Sequence, residues 1–266
     1  MRALLLNFTN ENDDFVRCLQ RLGCATTLNA TWDNAVSDVN MVFVHTLRSL
    51  TEAGPYVHSL CHLFVQRHTL LPEELQQLEK LVAEAGVKLQ FSASQLYEWR
   101  IFDVLQRIGG VKFVQVYRDF ESNKPLTTAE LHTEAAAVSS AVKAKLSKVE
   151  KLRVAVSGNV DVLGFRTDFV NTACAYFWLS SGAFSARHEL RFFGGKGVAA
   201  VDVLTRTANV RMLDGEMLSL PFLSEAESME KELLNFVVGL HSEEQPFISV
   251  AEATVQQEIM QHSHFT

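Results

Sequence analysis

The chain has 266 residues, 47% of them hydrophobic and 21% charged, with a formal net charge of -7. It can bury a full core, and its acidic balance argues against a nucleic-acid surface, which needs clustered Lys and Arg. No stretch approaches the ~20 apolar residues that span a bilayer, and cysteines 18, 24, 61 and 174 form no CxxC pair, so free thiols in a reducing, cytoplasmic compartment are expected.

Arg2 to Leu6 reads as a buried strand, Asn7 to Asn12 as a polar turn, and Asp13 to Leu22 as a helix. Phe15, Val16, Leu19 and Leu22 share that helix's apolar face, and Gly23 is its stop. A second strand is expected at Ala25 to Leu28, a connector at Asn34 to Val39, and a third strand at Met41 to Thr46. A short helix follows around Tyr56 to Cys61, then a strand at His62 to Gln66. Pro72, Glu73 and Glu74 open a helix in the favoured way, with Pro in the first turn and carboxylates at the positive end of the dipole. Gly86 ends it, Val87 to Phe91 is a strand, and Gln95 to Ile108 is a helix that stops at Gly109-Gly110. Strands alternating with helices in this way argue for a parallel sheet with crossover helices.

Beyond Gly110 the pattern changes. Val111 to Phe120 alternates as a long strand with one open face. Thr127 to Leu146 reads as a helix, Leu152 to Val156 as a strand, and Asp168 to Leu179 as a mostly apolar helix that buries Cys174. Three strands are expected at Ala186–Phe193, Val198–Arg206 and Asn209–Leu213, with turns at Gly194-Gly195 and Asp214-Gly215. Glu225 to Leu240 and Val250 to His262 are the last helices. The fold class expected is α/β: a Rossmann-like parallel sheet over residues 1–109, then an α+β domain with an open, mainly antiparallel sheet over 110–266.

This order resembles the Gfo/Idh/MocA family of glucose-fructose oxidoreductase, inositol dehydrogenase and their relatives. The likeness is carried best by Leu63 to Val116, with a strand, a Glu- and Ala-rich helix, a Gly-Val strand, an Arg-containing helix and a Gly-Gly turn. Phe236 within a Glu-rich helix, Pro246, and a Ser249-x-x-Glu252-Ala253 helix start fit the family's end. The resemblance implies an NAD(P)-binding half and a second sheet through which members often dimerise.

Three family sites depart from the pattern. A dinucleotide site uses G-x-G-x-x-G, whose glycines let the backbone approach the pyrophosphate. Here the turn Asn7-Phe8-Thr9-Asn10-Glu11-Asn12 holds no glycine, and Glu11, Asp13 and Asp14 would repel a diphosphate. An altered site would rely on Asn7, Thr9, Asn10 and Thr46. The family's Glu-Lys-Pro is Gln66-Arg67-His68. Arg67 keeps the positive charge but not the tunable proton of lysine. The family's helix start Gly-x-His-x-x-Asp, whose His aids proton transfer as hydride leaves, aligns on Arg166, Asp168 and Asn171, and no histidine lies between 133 and 187. Asp168 would be a base, or more plainly a helix-start carboxylate.

His58, Cys61 and His62 have helix spacing suited to zinc but lack a fourth ligand, so no metal is expected. Trp99 and Arg100 lie where the resemblance implies an Arg-containing helix near the substrate cleft, and a core Trp with a surface Arg explains them equally well. The preferred functional reading is an oxidoreductase homologue that has lost NAD(P) binding and hydride transfer, needs no cofactor, and serves binding or assembly. In it a sugar-like ligand and a homodimer through the second sheet are the expected partners, with neither nucleic acid nor membrane. The alternative is a divergent NAD- or NADP-dependent oxidoreductase acting on a sugar or sugar nucleotide through Arg67 and Asp168. A third reading is a structural module working through the second sheet alone.

Overall fold

A computed structural model describes residues 1–6, 13–28, 39–121, 131–156, 160–240 and 248–262. The turn at 7–12, with the expectations placed on Asn7, Thr9 and Asn10, lies outside the described residues, as do most of the 34–39 connector and Pro246.

The chain forms two compact units. The first holds residues 1–94 and 225–254, the second residues 95–224 and 255–266.

In the first unit, strands β1 (Arg2–Leu6), β2 (Ala25–Leu28), β3 (Met41–Leu47), β4 (His62–His68) and β5 (Leu89–Phe91) form a parallel sheet in the order β2-β1-β3-β4-β5. Every strand pairs parallel, which needs a crossover between neighbours. Helices α1 (Asp13–Arg21), α2 (Leu50–His58) and α3 (Pro72–Ala85) lie between the strands in the chain. Pro72 stands in the first turn of α3, Glu74 closes the helix start by accepting from the Leu71 N–H, and Gly86 ends it at φ 65°. That conformation is left-handed, where glycine carries no Cβ penalty. α2 begins earlier than the sequence suggests and carries Pro55 inside it.

Helix α7 (Glu225–Gly239) returns to this unit and buries Leu233, Phe236 and Val237 against the sheet. Four rings make the centre of that core. Phe64 lies 5.5 Å from Phe43, 6.0 Å from Phe15 and 5.4 Å from Phe236. Most of these contacts are tilted or edge-on, which the ring quadrupole favours over face-to-face stacking. Helix α8 (Val250–His262) starts with the Ser249 N–H donating to Glu252, as the Ser-x-x-Glu spacing predicts.

The second unit is built on eight strands. They are β6 (Val111–Phe120), β7 (Leu146–Val156), β8 (Val160–Phe169), β9 (Cys174–Ser181), β10 (Arg187–Gly194), β11 (Gly197–Asp202), β12 (Thr207–Met212) and β13 (Met217–Pro221). Their order is β13-β12-β11-β10-β6-β9-β8-β7, antiparallel throughout except for the parallel pair β6–β9. Helices α4 (Ser94–Glu98), α5 (Ile101–Ile108) and α6 (His132–Val142) belong to this unit almost entirely, and α5 and α6 pack on one face of its sheet. That face is apolar: Val114, Val116, Leu190, Phe192, Ala199 and Val210 are all buried. Gly194 is required where the β10–β11 hairpin meets the end of α5, because a Cβ there would overlap the Ile108 carbonyl oxygen.

Several elements differ from the sequence reading. Asp168 to Leu179 is not a helix but the end of β8, a turn, and most of β9. The run alternates Ala175, Phe177 and Leu179 inward against Tyr176 and Trp178 outward. Its outward residues are aromatic, so a period of two looks like a continuous apolar stretch. Cys174 therefore lies half-buried on a strand. The expected 127–146 helix is described only as His132–Val142, and Leu146 already begins β7. The expected 95–108 helix breaks at Arg100, whose φ of 61° is left-handed. Arg100 holds that bend by donating to the Pro221 carbonyl and pairing with Asp103 at 2.9 Å. Strand β13 was not anticipated.

Candidate active site

In the first unit the strand order reverses between β1 and β3. In open α/β sheets the crevice outside the carboxyl ends of the strands at such a switch point is the ligand side. The residues at that edge are the last turns of β3 and β4. Thr46 is half-buried, and its hydroxyl lies 3.1 Å from His45 Nδ1. Thr46 is the register partner of Arg67, so the two side chains leave the sheet on the same face. Arg67 is exposed. His68 packs on Phe91 with ring centroids 4.5 Å apart. The sheet thus brings Thr46 and Arg67 together, as an adjacent hydroxyl donor and cation. A hydroxyl and a guanidinium side by side can bind an anionic group.

Asp168 and Asn171 do not join them. Asp168 lies on β8, not at a helix start, and its carboxylate accepts from Arg166 Nε at 2.7 Å. Asn171 sits in the β8–β9 turn, where its amide donates to the Val142 carbonyl and accepts from the Ala173 N–H, each at 3.1 Å. Those bonds give Asn171 a turn-forming role. The alignment of the family's helix start on 166–171 therefore fails.

The helix that follows the long strand β6 is α6, and its first residue is His132. With His132 at the histidine of Gly-x-His-x-x-Asp, Glu130 stands at the glycine and Ala135 at the aspartate, so one position of three is kept. His132 is solvent-exposed by surface area, yet the protein atoms packed near the ring lower its pKa, with the Glu134 carboxylate pulling the other way. The shift favours the neutral ring, the form that accepts a proton. The Gln256 amide nitrogen is 3.1 Å from the ring nitrogens and donates to the His132 carbonyl. A histidine at the head of the described helix after the long strand is the sequence signal for this candidate.

One turn of α6 also carries Glu134, which is fully buried. Its Oε1 lies 2.7 Å from both Arg118 on β6 and His188 on β10, which are register partners on neighbouring strands. Trp99 is buried edge-on against His188, with centroids 5.3 Å apart. A carboxylate removed from water needs such donors, because unpaired it carries a desolvation penalty of several kcal/mol.

The zinc-like spacing dissolves in the fold. His58 ends α2 with Nδ1 2.6 Å from the Gly54 carbonyl, Cys61 is buried with its thiol toward the Val39 carbonyl, and His62 Nδ1 accepts from the Lys88 N–H. Among the described residues no group of three His, Cys, Asp or Glu side chains is arranged to hold a metal. No helix among them is long and apolar enough to cross a membrane.

The open face of the second sheet is the other candidate surface. Tyr176 and Trp178 are 43% and 42% exposed there, although both are large apolar side chains. Beside them, above Gly164, lies a hollow of about 550 Å³ bordered by Tyr117 and Arg166. Arg187 sits 3.9 Å from the centre of the Tyr117 ring.

No model of a known family matches the chain, and no curated protein matches it. Solved structures do match, over almost its whole length. UDP-N-acetylglucosamine 3-dehydrogenase from Acidithiobacillus ferrooxidans is 14% identical with a TM-score of 0.70, covering 98% of this chain and 96% of that one. An oxidoreductase from Agrobacterium radiobacter, solved with NAD+, L-tartaric acid and magnesium, is 10% identical with a TM-score of 0.70 over 98% and 94%. Biliverdin reductase from Synechocystis, solved with biliverdin and NADP+, is 10% identical with a TM-score of 0.60 over 98% of each chain. The chain has the two-part α/β fold of Gfo/Idh/MocA-type NAD(P)-binding oxidoreductases.

Proposed function

We propose that the protein is a divergent NAD(P)-linked oxidoreductase acting on a sugar or sugar nucleotide, with His132 as its proton acceptor. The observation that carries this reading is the place of His132, an exposed histidine at the head of α6. A histidine there supports the reading against one of the three departures, since residues 166–171 lie on a strand and a turn and not at a helix start. Thr46 and Arg67, both in the first unit, would hold an anionic part of the cofactor, which would supply the hydride acceptor. Oxidation of a substrate hydroxyl to a carbonyl releases a proton, and an imidazole such as that of His132 is a group able to take it. Arg67 stays charged at any working pH and serves binding only.

The test is turnover. Purified protein is given NAD+ or NADP+ with a panel of nucleotide sugars, UDP-N-acetylglucosamine among them, and reduced cofactor is followed by absorbance. Reduction that depends on the sugar supports the reading. Its absence across the panel, with no dinucleotide bound, would leave the second reading: a protein that keeps the fold for binding or assembly. That reading is favoured by the glycine-free 7–12 segment and by Arg67 in the place of lysine.

We also infer that the exposed Tyr176 and Trp178 mark a self-association surface, since large aromatic patches on an open sheet are covered in stable assemblies. Sedimentation should show a dimer, and Trp178→Glu should shift it to monomer by at least about ten-fold in dissociation constant. A wild-type monomer at high concentration contradicts this.

A further inference from the structure

We propose that Glu232 is a proton-operated latch on the chain segment Gln90–Ala93: its neutral form holds the segment against α7, and its ionised form releases it.

The geometry is unusual for a glutamate. Glu232 is 2% exposed, on the face of α7 that also carries the core residues Leu233 and Phe236. Its two oxygens divide between neighbouring donors of a single stretch. The Ser92 hydroxyl donates to Oε2 at 3.0 Å and the Ala93 N–H donates to Oε1. Gln90, buried on β5, is the neutral polar side chain nearby. That stretch is the end of the last strand of the parallel sheet, and the chain leaves the first unit just beyond it, between Ser94 and Gln95. α7 thus holds the exit of the unit through one side chain.

No cation offsets a charge at this site. The groups that face Glu232 are Gln90 from β5 and Ser92 and Ala93 from the segment after it, all neutral. Among the described residues no Lys, Arg, His or second carboxylate contributes from these elements or from α7 itself. Burial therefore dominates and pushes the carboxyl up to about 7, against the hydrogen bonds from Ala93 and Ser92 that favour the charged form. The neutral acid still satisfies its neighbours. One oxygen accepts from the Ala93 N–H while the protonated one donates to Ser92.

The sign follows from the protons. The closed segment keeps Glu232 protonated to a higher pH than the opened one, where the carboxyl meets water and titrates in the ordinary glutamate range. Opening is therefore least favourable below that range. It grows easier as pH rises toward about 7, and it levels off above. Between about pH 6 and about pH 8 the open fraction should rise about ten-fold.

Hydrogen exchange of the full chain, read by mass spectrometry and corrected for the intrinsic effect of pH, tests this. In the wild type the protection of the Ala93 amide should fall about ten-fold across that interval, while amides of β3 and β4 hold theirs. In Glu232→Gln, which cannot ionise, protection of Ala93 should be the same at both ends. A pH-independent wild-type Ala93 would overturn the proposal. So would a fall shared equally by β3 and β4, which would mean that ionisation is linked to unfolding of the whole unit. The wild-type comparison decides the matter even if the variant fails to fold, and neither outcome depends on whether a dinucleotide binds.

Discussion

Replacing Phe64 by alanine is expected to destabilise the first unit by about 4 kcal/mol and lower its melting temperature by roughly 10 °C. Phe64 has no solvent exposure and touches three other rings. Its removal loses the transfer free energy of the side chain and leaves a cavity that β4 cannot close, because that strand is held by ladders to β3 and β5. The loss reaches α7 as well, since Phe236 rests on the same ring. Chemical denaturation monitored by circular dichroism measures the change. A loss under about 1 kcal/mol would mean the four-ring core does not carry the unit.

The second large effect is on chemistry. His132→Ala should reduce kcat by about 100-fold or more, the usual contribution of a positioned general base, with little change in melting temperature. His132→Asn should not restore it, since an amide cannot accept the proton. The pH profile adds a sign. Because the folded protein lowers the His132 pKa, the base form persists below the ordinary histidine range. The acid limb of kcat/KM should therefore lie below about pH 6.5. By the same linkage, any contribution of His132 to stability is present above the unfolded value and lost as pH falls. An unchanged kcat in His132→Ala would remove the histidine from the mechanism.

Much of the parallel half was legible because its signals are local. Apolar runs such as Met41 to Val44 are buried on both faces and read as strands, while Pro72, Glu73, Glu74 and Gly86 bracket a helix by chemistry that needs no tertiary context. The second half was harder for a physical reason. An open sheet face normally shows polar residues at every other position, but β9 presents Tyr176 and Trp178 outward. The period of two was hidden, the run looked helical, and the family's helix start was aligned on it. Asp168 and Asn171 instead fall on a strand and in a turn. Glu134 was beyond sequence reasoning for another reason: a carboxylate two residues into a helix looks like a surface charge until β6 and β10 bring Arg118 and His188 to it.

Cofactor binding is the claim on which the functional account stands, and calorimetric titration of the full protein with NAD+ and with NADP+ reaches it most directly. The account predicts saturable heat in the micromolar range for at least one of them. It also predicts a rise in melting temperature, since a ligand at about 100 times its dissociation constant stabilises by about 2.7 kcal/mol. Arg67→Ala should weaken that binding. No heat and an unshifted melting temperature at millimolar dinucleotide would contradict the account.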